Sequence, residues 1–121
     1  MNFLKLIPWA SLFLAFSVQS APISATTEQE IAHLLLFVTS TPCQYERNGT
    51  LHNGVEAVAH IQKKYDYFKD DIESAEDFIE YSATESKMSG RKYQVHCDGA
   101  ATQLSSEWLL TELRRYRQTS E

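Results

Sequence analysis

The sequence predicts an α+β domain: about four α-helices packed on a small two-stranded β-sheet and held by one disulfide. Three observations carry that expectation. Residues Ile72 to Cys97 read as a helix, a turn and a short strand in succession, with Ser74 as cap and Ser89-Gly90 as the break. The chain has two cysteines, and the other, Cys43, stands beside the only other strand-like segment, so the two strands are expected to be neighbours pinned together. Capping signals followed by apolar stripes recur at Thr27, Asn53 and Ser105 or Ser106, giving the remaining helices.

Residues 1–20 are set apart as a signal peptide. A short basic start to Lys5 precedes the apolar run Leu6 to Phe16, and Val18-Gln19-Ser20 offers small residues for cleavage after Ser20. That run is shorter than the roughly 20 residues a spanning helix needs, so export and release are expected rather than an anchor. With Lys5 removed, the formal charge moves from −5 to −6, which argues against nucleic acid as the main partner. The expected layout is a leader over 21–26, a single domain over 27–117 and a tail over 118–121. In an oxidising compartment the cysteine pair closes a long loop, a constraint that stabilises by about 4 kcal/mol in the chain-entropy model.

Thr27 and Glu30 have capping-box spacing at the start of the first helix, and Ile31, Leu34, Leu35 and Val38 share one face. Ser40-Thr41-Pro42 ends it. His33 lies off the stripe and is read as a solvated surface residue. Gln44 to Arg47 follow as a strand running into the turn Asn48-Gly49; Thr50-Leu51-His52 is a poor return strand, so the turn is expected to redirect the chain.

Asn53 and Glu56 open the second helix, which reaches about Phe68 and buries Val58, Ile61, Tyr65 and Phe68. Glu56, His60, Lys63 and Tyr67 align on its other side at helical spacing. This stripe is either an ordinary solvated face or a recognition face. The third helix starts at Ser74, with Glu76 and Asp77 where the dipole favours carboxylates, and Ser82, Thr84, Ser86 and Ser89 make a hydroxyl-rich exit. Lys92 to His96 form the second strand, expected antiparallel to the first, and Asp98 to Gln103 a loop. In the last helix Leu109, Leu113 and Tyr116 make the packing stripe, while Arg114, Arg115 and Arg117 are read as compensation of the negative helix end.

The ordered series Arg47-Asn48-Gly49, Glu56-Ala57-Val58 with His60 and Lys63 or Lys64, Ala75-Glu76 with Phe78-Ile79, and Ser86, Ser89-Gly90 with Tyr93 and Val95 resembles an uncharacterised family. Its members are small exported bacterial proteins of unknown function, YfeK among them. The resemblance covers nearly all of the chain after residue 20. It implies a periplasmic address and supplies no activity, so no catalytic role is carried over.

Chemistry is weakly signalled. Cys43, Cys97, His52 and His96 lack metal-motif spacing, there is no C-x-x-C pair, and no G-x-S-x-G motif marks a nucleophile, so no metal, cofactor or catalytic residue is assigned. The favoured reading is a non-enzymatic binding module of the cell envelope. It would present Arg47, Asn48, Glu56, His60, Lys63, Glu76, Ser86 and Ser89 to an unknown protein or envelope component. The alternative is a small acid/base hydrolase using Glu56, His60 and Glu76, which requires the second and third helices to bring those groups together.

Overall fold

The computed structural model describes residues 23–119; the expected signal peptide over 1–20, the first two residues of the expected leader and the last two of the expected tail lie outside them. Four α-helices and four short strands follow the order α1 (Ala25–Ser40), β1 (Gln44–Arg47), β2 (Thr50–His52), α2 (Gly54–Phe68), α3 (Ala75–Ser82), β3 (Gln94–His96), β4 (Gln103–Leu104) and α4 (Ser105–Thr119). A short 3₁₀ turn, Lys69–Asp71, joins α2 to α3. The fold is therefore α+β, as expected, but the sheet has four strands and not two.

The expected pair is present: β1 and β3 run antiparallel with Gln44 opposite His96. Cys43 and Cys97, one residue outside that first pair on each strand, form the disulfide, 54 positions apart in sequence. The two additional strands flank this centre, in the order β2-β1-β3-β4, all antiparallel. β2 forms because Asn48 and Gly49 both take left-handed backbone angles, φ 52° and 81°. A two-residue hairpin turn needs positive φ at both central positions, and Asn-Gly supplies them at least steric cost. Arg47 is thereby placed opposite Thr50. β4 takes the end of the segment read as loop and pairs Gln103 with Val95.

Capping explains where α1, α2 and α3 start. In α2 the Asn53 side chain accepts from the Glu56 amide at 2.9 Å while the Glu56 carboxylate accepts from the Asn53 amide at 3.1 Å, the reciprocal arrangement expected there. Ser74 caps α3 by accepting from Asp77 N. The first helix departs from expectation: Ser24 is its cap, accepting from Thr27 N, so the helix begins inside the predicted leader. Glu30, freed from capping, is buried and ion-paired instead.

The core is helical on three sides and closed by the sheet. Ile31, Leu34 and Val38 of α1 meet Ala57 and Ile61 of α2, Phe78 and Ile79 of α3, and Leu109 and Leu113 of α4; Tyr45 and Val95, cross-strand partners, face them from β1 and β3. Each such buried aliphatic or aromatic side chain stabilises by about 1.5–3 kcal/mol. Val58, Tyr65 and Phe68 are only partly buried against that core.

Two polar ties on the helical side correct the sequence reading. Arg117 of α4 donates to Glu30 of α1 at 2.6 and 3.1 Å and to Glu76 of α3 at 2.9 and 2.8 Å. Glu112 accepts from Arg115 and pairs with His33 Nε2 at 2.6 Å, and the His33 ring stacks on Tyr116 at 4.1 Å. Arg117 is thus a cross-link between helices and not only dipole compensation, Arg115 is tied to Glu112 one turn earlier in its own helix, and His33 is an α1–α4 contact, not a solvated residue. The Arg117 and His33 pairs exist because apolar stripes bring the helices alongside, a tertiary effect that no single-helix pattern encodes.

Gly54 is where α2 begins against the end of α1. A Cβ placed there would lie 2.2 Å from the Val38 carbonyl oxygen and 2.9 Å from that of Thr39. Backbone atoms cannot swing aside, so Gly54→Ala is expected to destabilise the domain by about 1–3 kcal/mol. Urea unfolding of the oxidised protein measures this, and an unchanged midpoint would mean that the two helix ends do not approach so closely.

Candidate functional site

An open cleft of about 700 Å³ lies between α2, the β1–β2 turn and the loop that leads from α3 to β3. That volume falls within the range of roughly 300–1,000 Å³ common for small-ligand sites. One wall is a face of α2 carrying the exposed Lys63 and Tyr67 and the half-buried His60, Lys64 and Phe68. The facing wall is the loop Ser86–Arg91, folded back on itself by Gly90 N donating to Ser86 O at 2.8 Å and Ser86 N donating to Arg91 O at 3.0 Å. Gly90 takes φ 71°, a conformation its lack of a Cβ permits. Ser89 Oγ donates to Asn48 Oδ1 at 2.6 Å and so ties this loop to the hairpin turn.

A chain of hydrogen bonds forms the floor. Arg47, at the end of β1, contacts His60 Nδ1 through one guanidinium nitrogen. Arginine has only donors, so Nδ1 accepts and the imidazole proton resides on Nε2, which donates to Tyr93 Oη at 3.3 Å. Lys64 Nζ donates to the same phenol oxygen at 3.1 Å and to the Glu85 carbonyl at 2.7 Å, and stands 4.9 Å over the Tyr93 ring. Burial, with Arg47, Lys64, His52 and Lys63 nearby, lowers the His60 pKa to about 4. Lys64 is lowered as well, by burial first and then by Lys87, against a smaller opposing pull from Glu85. Burial raises the Tyr93 phenol above its ordinary value.

The charge balance of the cleft is opposite to that of the chain. Arg47, Lys63, Lys64 and Lys87 line it, and among the described residues no acidic side chain does. None of the four is in an ion pair with a carboxylate of the described residues. Apolar surface is interleaved with this charge: Tyr67 is 81% exposed, Met88 99% exposed, and Lys87 Nζ lies 5.0 Å over the Phe68 ring.

Of the residues singled out from the sequence, the fold brings Arg47, Asn48, His60, Lys63 and Ser86 into the cleft, with Ser89 bracing its edge. Two others are elsewhere. Glu56 is held in the helix cap and borders a separate small depression behind Arg47 and His60. Glu76, on α3, is bound by Arg117, whose hydrogen bonds hold its carboxyl below the usual range. Glu56, His60 and Glu76 do not meet around one space, and both His60 nitrogens already have partners. Lys64, Lys87, Met88 and Tyr93 were missed as site residues. Lys64 was detectable, being one helical turn beyond His60; Lys87 and Met88 gain meaning only when their loop folds over α2.

Among the described residues no group of three or more His, Cys, Asp and Glu side chains is arranged to hold a metal ion, and no helix is long and apolar enough to cross a membrane. Cys43 and Cys97 are joined to each other.

His60 gives the cleft a measurable signature. Its imidazole resonances are expected to titrate near 4, against 6.5 for an ordinary histidine. A depressed histidine is neutral in the folded state and charged in the unfolded one between those values, so its contribution to stability is lost as pH falls from 6.5 to about 4. Arg47→Gln removes part of the repulsion and is expected to move the titration upward. An ordinary titration in the unaltered protein would contradict the described packing.

Comparison with known proteins adds a lineage and no activity. The chain is 39% identical over 49 residues to the uncharacterized protein YfeK of Salmonella typhimurium strain LT2, a match spanning 40% of this chain and 41% of that protein. No solved structure matches it. The model of a family of unknown function, DUF5329, matches residues 25–117, from the start of α1 almost to the end of α4, and the chain belongs to that family.

Proposed function

We propose that the protein is a non-enzymatic binding module of the cell envelope, exported with loss of residues 1–20, whose cleft takes an anionic group. One observation carries the reading. Four cations line a single cleft that no carboxylate of the described residues lines, Glu85 acting on Lys64 from outside it, in a chain whose formal charge is −5. Like charges gathered in a partly desolvated space repel, and a protein with sixteen acidic residues has acids with which to neutralise them. An anion arriving from outside supplies that neutralisation. Arg47 keeps most of its N–H fork for such a group, because His60 engages one nitrogen. The disulfide suits the oxidising periplasm.

The hydrolase alternative draws no comparable support. Its two acids are engaged, one in a helix cap and one by Arg117, and its histidine has no free nitrogen with which to take a proton.

Amide NMR of the oxidised protein titrated with inorganic phosphate at constant ionic strength tests the proposal. Saturable shifts are expected at Asn48, Lys63, Lys64 and the Ser86–Arg91 loop. Arg47→Gln combined with Lys63→Gln is expected to weaken the interaction at least about tenfold. Shifts scattered over the surface, or unchanged in the double variant, would overturn it.

A further inference from the structure

The cleft holds more than its cations, and the remainder constrains the ligand. Tyr67 on α2 and Met88 on the facing loop are 81% and 99% exposed, and the partly buried Phe68 also lines the cleft. A bare inorganic anion would neutralise Arg47 and Lys63 and leave all three of these side chains wet. A neutral apolar molecule would cover them and leave the cations uncompensated. The two kinds of surface also meet directly: Lys87 lies over the partly exposed Phe68 ring at 5.0 Å. Charge and apolar area therefore belong to one site. The walls are built in advance, since the loop carrying Met88 is closed by its own backbone bonds and fastened to Asn48.

We infer that the ligand is a single-chain amphiphile: a phosphate or carboxylate head neutralising Arg47, Lys63 and Lys64, and an alkyl chain lying across Phe68 between Tyr67 and Met88. The inference rests on the anion-binding reading above and specifies what the anion carries. A volume near 700 Å³ accommodates a head and one chain, and the open side lets the chain's end emerge. A polyanion such as nucleic acid would bring its further charges against a domain of net negative charge.

Calorimetric titration of the oxidised protein with inorganic phosphate, with octyl phosphate below its micelle concentration and with octyl glucoside makes the test. Octyl phosphate is expected to bind one to one and at least about tenfold more tightly than inorganic phosphate, with octyl glucoside not binding. Tyr67→Ala combined with Met88→Ser, both at exposed positions, is expected to bring the affinity for octyl phosphate down toward that for inorganic phosphate measured on the same variant. Equal affinities for the two phosphates would overturn the amphiphile and leave the anion reading standing. No binding of either would overturn both. Sedimentation with phosphatidylglycerol vesicles separates a free amphiphile from a bilayer: vesicle binding without a one-to-one octyl phosphate complex would overturn the single-chain ligand in favour of a membrane face.

Discussion

Arg47 is held against an imidazole instead of a carboxylate, and the character of the cleft follows from that choice. A carboxylate opposite the guanidinium would have cancelled its charge, as Glu30 and Glu76 do for Arg117. His60 orients the arginine without neutralising it, because burial and the surrounding cations keep the ring uncharged at any pH well above 4. The same ring donates its Nε2 N–H to Tyr93 Oη, which also accepts from Lys64 Nζ. Both cations are thereby hydrogen-bonded to neutral groups, and although Glu85 offsets part of the Lys64 charge, neither cation is in an ion pair among the described residues.

The polar surface of the domain is organised in two systems of opposite kind. On the α1, α3 and α4 side, Glu30, Glu76, Glu112, His33, Arg115 and Arg117 satisfy one another, and their charges are paired. On the α2 and sheet side the cations have aromatic rings and carbonyls as neighbours, and that face is open. The disulfide at the junction of β1 and β3 fixes the relation between the strands that carry Arg47 and lead from Tyr93.

Local chemistry was legible in the sequence, and tertiary chemistry was not. Asn53 with Glu56, Ser74, and the Asn48-Gly49 turn each act within four residues of themselves, so spacing alone located them. The pairing of β1 with β3 was readable because each strand abuts a cysteine. Thr50–His52 and Gln103–Leu104 are too short to show alternation, and they become strands because a hairpin turn and a neighbouring edge offer them partners. His33, Glu76 and Arg117 were assigned to solvent or to helix ends, since isolated helices give no hint of which faces will abut. The stripe of His60, Lys63 and Tyr67 was visible; that the loop at Lys87 and Met88 would fold opposite it was not.

Uncompensated positive charge in the cleft is the central claim, and linkage between ligand binding and unfolding tests it most directly. An anion that binds the folded state raises the unfolding midpoint, by an amount set by its concentration relative to its dissociation constant. The measurement is the thermal midpoint of the oxidised protein as chloride is replaced by phosphate at fixed ionic strength and pH, compared with that of Arg47→Gln. The account predicts a rise in the unaltered protein that exceeds the rise in the variant, whose response reports only the general stabilising effect of phosphate. Equal rises in the two proteins would contradict it.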